Sequence, residues 1–408
     1  MITAAFPPVR AGESDHAFQL CRRIAERGID VHVVTTKGCG VAAEVPFNFY
    51  PVMEKWSWAD GTRLCRLVMR HQPAAVLLIY SGWLYNDEPM ITFAPTFIKR
   101  LNGNRPFVTQ MEIDLPSGCS TLYKRMARKL AQYAWGPQGV EYGFGTLLRD
   151  SDRVIALSRA HLDRFTVNSH SIEGKSIVIP PPPLLQITPN NDGQSREVGR
   201  LKLGLTQRDF LLAFFGYVDR NKGIDTLFKA LQLVRKHYDN VRLVMIGGGR
   251  GTAERTQTQT LIKVDQYEDQ LEDMPAILGI AEAVIWLPGY SPDSDEASLF
   301  LRAADACVLP FNEGVTMNRS TLAAAVAHEL PVITTQAGKV ESPLAHGENV
   351  LLCQAKDPVA LADSIMDLMR NPALRQKLSQ GSRQLASESF SWDRAVEQTI
   401  SSLQIQSN

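Results

Sequence analysis

The sequence predicts an α/β protein of two doubly wound domains facing a cleft. Three observations carry this expectation. Apolar runs of strand length alternate with segments of helical period along the whole chain. The alternation runs through twice, with a polar, turn-rich stretch at residues 186–200 between the two series. A length of 408 residues exceeds one ordinary hydrophobic core, so two domains are expected.

In the first series, residues 2–6 read as a short apolar strand, followed by a loop through Pro7, Pro8 and Gly12. From Ser14 the pattern turns helical. Ala17, Leu20, Cys21, Ile24 and Ala25 share one face, and Arg22, Arg23, Glu26 and Arg27 share the other. Gly28 stops that helix. Residues 31–35 are a buried strand, so the chain opens on a strand, helix, strand unit. Further strands are expected at 75–80, 107–110, 153–156 and 176–179, and Pro180 to Pro183 close the last of them. The second series places strands at 211–215, 241–246, 283–287, 306–310, 331–334 and 350–353. Most are followed by a glycine or proline loop and a helix. The expected domains are residues 1–190 and 191–385. A C-terminal helix in 386–408 is a candidate to cross back to the first domain.

Composition narrows the class. With 44% hydrophobic and 21% charged residues the chain reads as globular. It has no apolar run near 18 residues, and its first residues lack a signal peptide's basic and apolar regions. The six cysteines are scattered with no C-x-x-C pair, which argues against a zinc site or a disulfide framework and for a reducing cytoplasm. The net charge is zero but uneven: residues 1–190 hold 21 Lys/Arg against 16 Asp/Glu, and the rest hold 22 against 27. A basic first half suits an anionic acceptor or the inner face of a membrane, or is ordinary fluctuation. Residues 122–135, with Lys124, Arg125, Arg128 and Lys129, suit either a basic interfacial helix or an ordinary surface helix. Net basicity and nucleic-acid-binding motifs are absent.

Two stretches carry chemistry. Gly216 to Gly223 ends an apolar strand and opens a helix, with Arg220 and Lys222 at the junction. Residues 310–331 form a strand end, a polar loop with Glu313 and Gly314, and an alanine-rich helix entered through Arg319, Ser320 and Thr321. A helix entrance offers free N–H groups and a positive dipole end, so two of them with Lys and Arg suit a diphosphate. The Glu313 carboxylate suits sugar hydroxyls, and Gly314 allows close backbone approach.

At this point the residues resemble a known family. Phe6-Pro-Pro with Gly12 and His16, Arg27-Gly28 with the strand to Thr35, and Asp152 to Ser158 are similar to family 4 retaining glycosyltransferases of the GT-B fold. Gly216, Lys222-Gly223, Gly247 to Gly249, Ala304 to Pro310, Glu313-Gly314, Leu330 to Val332 and Phe390 to Trp392 follow in family order. The resemblance spans nearly the whole chain. It implies two Rossmann-like domains and transfer of a sugar from a nucleotide diphosphate sugar to an acceptor hydroxyl, without a cofactor or metal. The acceptor would be a sugar or a lipid-linked molecule, as in bacterial polysaccharide or glycolipid synthesis. An epimerase of the same fold and a non-catalytic sugar-nucleotide binder are the alternatives.

The resemblance also assigns roles. Lys222, Arg220 and Glu313 are the catalytic candidates. Gly12, Gly216, Tyr290, Gly314, Arg319, Ser320 and Thr321 are the donor-side candidates. His16, Glu112 and Asp114 lie on the acceptor side. Tyr290 stacks on the base or packs. Tyr217 occupies the family's usual arginine position, and Thr321 or Ala324 the usual ribose-binding carboxylate position. Asp293 and Asp295 match a metal-site spacing, but capping of the following helix accounts for them better.

Overall fold

The computed structural model describes residues 1–9, 11–41, 44–112, 144–168, 172, 174–188, 193–247, 266–287, 289 and 294–404. The chain divides into two compact units, Met1–Pro180 with Asp393–Asn408, and Pro181–Trp392.

In the first unit, β1 (His32–Thr36) pairs in parallel with β2 (Asn48–Met53). β3 (Val76–Tyr80), β4 (Phe107–Met111), β5 (Arg153–Ala156) and β6 (Ser176–Val178) form a second parallel run in that order. The strand expected over 2–6 is reduced to two isolated bridges at one residue, Ile2. Ile2 donates to Leu77 O at 2.8 Å and accepts from Ile79 N, while Thr3 N reaches Val34 O at 3.1 Å, which links β1 to β3. The chain then leaves the sheet, because Thr3 Oγ1 turns back to Ala5 O and the Phe6 ring packs among Phe18, Phe47 and Phe49. β2 carried no clear sequence signal. It is a half-exposed edge strand interrupted by Pro51, a residue that edges tolerate and central strands do not.

Helix α1 (Gly12–Ala25) begins two residues before Ser14, so Gly12 is its first residue and not part of a loop. Its inward face carries Ala17, Leu20, Cys21 and Ile24, as the helical period requires. Helices α2 (Trp58–His71) and α3 (Ala94–Leu101) follow. Among these, Asp60 closes the entrance of α2 by accepting from the N–H groups of Lys55 and Trp56, each at 2.9 Å.

In the second unit, six parallel strands lie in the order β12-β11-β10-β7-β8-β9. They are β7 (Phe210–Phe215), β8 (Val241–Ile246), β9 (Val284–Leu287), β10 (Ala306–Leu309), β11 (Val332–Gln336) and β12 (Leu351–Gln354). The strand order reverses direction between β7 and β10, a doubly wound topology whose switch point opens beyond the carboxyl ends of those two strands. β7 reads Phe-Leu-Leu-Ala-Phe-Phe with only Phe210 partly exposed, as expected of a central strand covered on both faces. The helices that matter here are α4 (Gln194–Lys202), α5 (Ile224–Arg235), α6 (Glu296–Ala303) and α7 (Ser320–Ala327). α8 (Pro358–Arg370) and α9 (Pro372–Ser389) complete the unit.

The break between units falls at Pro180–Pro181 and not at residue 190. The reason is packing: Leu185 is buried in the second unit's core, and Thr188 N donates to Ser298 Oγ at 2.8 Å. The turn-rich stretch also ends early, since α4 starts at Gln194. At the other end, residues 386–389 complete α9, and α10 (Trp392–Ser402) follows. The residues from Asp393 onward group with the first unit, where Arg27 meets Asp393 at 2.6 Å and Glu397 at 3.7 Å.

Candidate functional site

The switch point of the second unit gathers most of the sequence-derived candidates. Gly216 ends β7 at φ +129, and a Cβ there would lie 2.7 Å from Thr321 Cγ2, so glycine lets the strand end meet the entrance of α7. The Asp219 carboxylate accepts from Asn221 N at 2.8 Å and starts a 3-10 turn over Arg220–Lys222. Gly223 follows at φ +64, and a Cβ on it would lie 2.0 Å from Pro310 O. The turn is thus pressed onto the end of β10. Asn312 ties it there twice, donating N–H to Asn221 O at 2.8 Å and Nδ2 to Arg220 O at 2.7 Å.

Next along the chain, the buried Phe311 ring has the Lys222 ammonium 5.3 Å from its centroid and the Arg319 guanidinium 4.8 Å from it. Two cations from different loops therefore share one aromatic ring, an arrangement stabilised by the ring quadrupole. Glu313 is exposed at the tip of the following turn. Gly314, at φ +82, lets that turn press against β11: a Cβ on it would lie 2.8 Å from Ala337 N, and Val315 N donates to Thr335 O at 2.8 Å.

Arg319 occupies the N-cap of α7 without a side-chain cap bond, and no acidic residue lies in the first turn. Ser320 is half-buried. Thr321 is 8% exposed, and its Oγ1 has no hydrogen-bond partner among the described residues. A buried hydroxyl in that state calls for an explanation. An uncapped helix entrance with a hydroxyl, an ammonium and a guanidinium beside it suits a phosphate.

Gly216, Lys222, Glu313, Gly314, Arg319, Ser320 and Thr321 thus share one edge of one sheet. Arg220 lies in the same turn and is exposed. Tyr290 lies outside the described residues, as does Asp293. Asp295 precedes α6 but makes no side-chain cap bond; Ser294 Oγ accepts from Glu296 N at 3.2 Å instead, so the capping expected of the aspartates falls to the serine between them. Phe311 and Asn312 were not singled out from sequence. Their only signal was a place between a strand end and a polar loop.

In the first unit a second cluster forms where β3 and β4 end and α1 begins. His16 Nδ1 lies 3.3 Å from Glu112 Oε1 and 3.4 Å from Gln110 Nε2, and Gln110 Nε2 donates to Glu112 Oε1 at 2.6 Å. The structure therefore brings His16 and Glu112 together; Asp114 lies outside the described residues. Glu13 also belongs to the cluster and was missed. Burial first, and the Glu112 carboxylate second, push its pKa up to about 7, while the Trp83 side chain hydrogen-bonds it and opposes the shift. The sign of the linkage follows. Glu13 keeps its proton in the fold while the unfolded chain ionises near 4.5, so its stabilising contribution is full below pH 4.5 and is lost as pH rises through 7. Chemical unfolding at pH 5 and pH 8 is expected to show a loss on the order of 2 kcal/mol that Glu13→Gln removes. An unchanged pH dependence in that variant would exclude the assignment.

This sheet order, with a glycine turn and paired cations at the switch point, is that of a doubly wound α/β unit, and the whole chain has the GT-B fold of two Rossmann-like domains. The fold is similar to that of a glycosyltransferase from Rickettsia africae ESF-5 (TM-score 0.70, 11% identity, 99% of this chain and 97% of that one). It is also similar to Anabaena Alr3699/HepE, solved with UDP and glucose (TM-score 0.69, 14% identity, 99% and 98%). Residues 195–385, just under half of the chain, match the family model of the glycosyl transferases group 1. A D-inositol 3-phosphate glycosyltransferase of Salinispora arenicola is 27% identical over 94% of this chain and 85% of its own length. The Salinispora tropica protein of the same name is 26% identical over 95% and 80%.

Proposed function

We propose that the protein moves a hexosyl group from a nucleotide diphosphate sugar to an acceptor hydroxyl, with retention at the anomeric carbon and without a metal ion. The observation that carries this reading is the convergence of Lys222, Arg319 and the uncapped α7 entrance at one sheet edge. The bond from the anomeric carbon to the distal phosphate breaks, and negative charge builds on that phosphate. Lys222, Arg319 and the N–H groups at Ser320 and Thr321 are placed to receive it, with Arg220 in the same turn. The departing phosphate oxygen takes the acceptor proton as the new carbon–oxygen bond forms on the same face. Glu313 holds hydroxyls of the donor sugar, and Thr321 Oγ1 finds its partner on the distal phosphate. Gly12, the first residue of α1, stands at that helix's entrance in the first unit. The Anabaena neighbour was also solved in complex with UDP-glucose, which makes that the first donor to test.

The Glu13, His16, Gln110 and Glu112 cluster is the acceptor-side candidate. The acceptor is a sugar or a lipid-linked molecule, and the relatives' names make inositol 3-phosphate the first soluble one to try. Incubation with labelled UDP-, GDP- and ADP-sugars in EDTA tests the reading. Transfer that needs both donor and acceptor supports it. A rearranged sugar without acceptor means an epimerase, and binding without turnover means a non-catalytic binder.

Glu313→Ala is expected to leave nucleoside diphosphate affinity nearly unchanged. Donor binding or turnover should weaken at least about tenfold, since a charge-assisted hydrogen bond contributes about 1.5–3 kcal/mol. Calorimetry with both ligands decides. Equal loss for the two would move Glu313 to the nucleotide, and no loss would place it outside the site.

Peripheral contact with the inner face of a membrane fits the outward side of α2. Trp58 and Met69 are exposed there beside Arg66 and Arg70. No described helix is long and apolar enough to cross a bilayer. Vesicles with anionic lipid are expected to float the protein at low salt and release it at high salt, because such attraction is screened within about 10 Å at 0.1 M. Equal recovery with neutral vesicles would remove the membrane from the reading.

A further inference from the structure

Phe311 meets both cations of the switch-point edge with its ring. Its ring is buried, and its backbone is fixed on two sides: its carbonyl accepts from Gly314 N at 3.2 Å and from Thr335 Oγ1. The ring therefore has little freedom to follow the side chains around it. Lys222 comes from the turn after β7, and Arg319 from the loop after β10. The two like charges repel each other, which favours conformers that carry the long side chains apart. The negative face of an aromatic ring offsets that repulsion and limits their rotamers without neutralising either charge. A carboxylate in the same place would hold the cations too, but it would also cancel the charge that an anion needs to find.

We propose that Phe311 is a positioning residue, whose ring holds Lys222 and Arg319 in place for a diphosphate before it binds. The proposal rests on the reading of those two cations as donor-phosphate ligands. Preplacement lowers the cost of ordering two flexible side chains at the moment of binding. The effect of the ring is accordingly felt in binding of the leaving group itself, with or without the sugar attached.

The test is a double-mutant cycle read by calorimetry with UDP, GDP and ADP. Phe311→Leu keeps apolar bulk and removes the ring, and it is expected to weaken the best-binding diphosphate roughly five- to thirtyfold. Phe311→Tyr is expected to keep affinity within about threefold, because the ring face is retained. In a Lys222→Met, Arg319→Met background, Phe311→Leu should make no further difference, as coupled residues are not additive. The same fold-loss in both backgrounds would overturn the proposal, since the ring would then act through packing alone. So would a loss in Phe311→Tyr equal to that in Phe311→Leu. If Phe311→Leu does not fold, Phe311→Met, which also fills space without a ring, takes its place in the cycle. The underlying reading fails separately: if the two cation variants bind all three diphosphates as the wild type does, Lys222 and Arg319 are not phosphate ligands.

Discussion

Lys222→Ala is expected to lower turnover on the correct donor about 100-fold or more while the fold persists. An interaction that strengthens only as charge develops lowers the barrier to the chemical step, and removing one such donor from a preorganised site commonly has an effect of this size. The ammonium lies beside the Phe311 ring at the edge of the second unit's sheet, and the lysine is one of three residues in a short 3-10 turn. That turn is tied to the end of β10 through backbone and Asn312 bonds, which truncation of the lysine side chain leaves in place. The loss should therefore appear in kcat with little change in the melting temperature. Near-normal turnover would remove Lys222 from the chemistry.

Gly223→Ala is expected to damage the same edge through the backbone. The new Cβ would lie 2.0 Å from Pro310 O, a backbone atom that cannot rotate away, and φ there is +64. Either the turn lifts off the end of β10 or the strand end moves. A cost of roughly 2–4 kcal/mol is expected, together with at least a tenfold loss of nucleoside diphosphate affinity. Gly204→Ala is the matched control. Its φ is +67 but nothing lies within 4 Å of the added atom, so only the left-handed strain of about 1 kcal/mol applies. Denaturant unfolding of the two variants separates the effects. Equal destabilisation would mean that the close approach to Pro310 contributes nothing.

Both experiments concern a turn that was legible in the sequence as a glycine-bounded break between an apolar strand and a helix. The strands of the second unit were legible for a related reason. The run Leu211–Phe215 of β7 is covered on both faces, so its residues are apolar without interruption and its ends are sharp. The edge strand β2 was not legible, because a half-exposed strand containing proline has no such run. The bridges at Ile2 were misjudged as a full strand, since local apolarity does not say where a chain leaves a sheet.

The candidate site divides in the same way. Lys222, Arg319, Glu313 and Thr321 could be picked out because charge, hydroxyl and glycine stood at helix entrances and strand ends, which are features of a few neighbouring residues. Phe311, Asn312, Gln110 and Glu13 could not, because each matters through a partner far away in the chain. Asn312 binds a turn some ninety residues earlier, and Gln110 meets a histidine 94 residues before it. The sequence by itself determined the alternating α/β plan, the glycine turn and the side chains with phosphate chemistry, since these follow from local period and backbone sterics. Only the tertiary structure decided that β7 and β10 lie side by side. Sheet order is set by long-range pairing and core closure, and that order places the lysine of one loop and the arginine of another on a single ring.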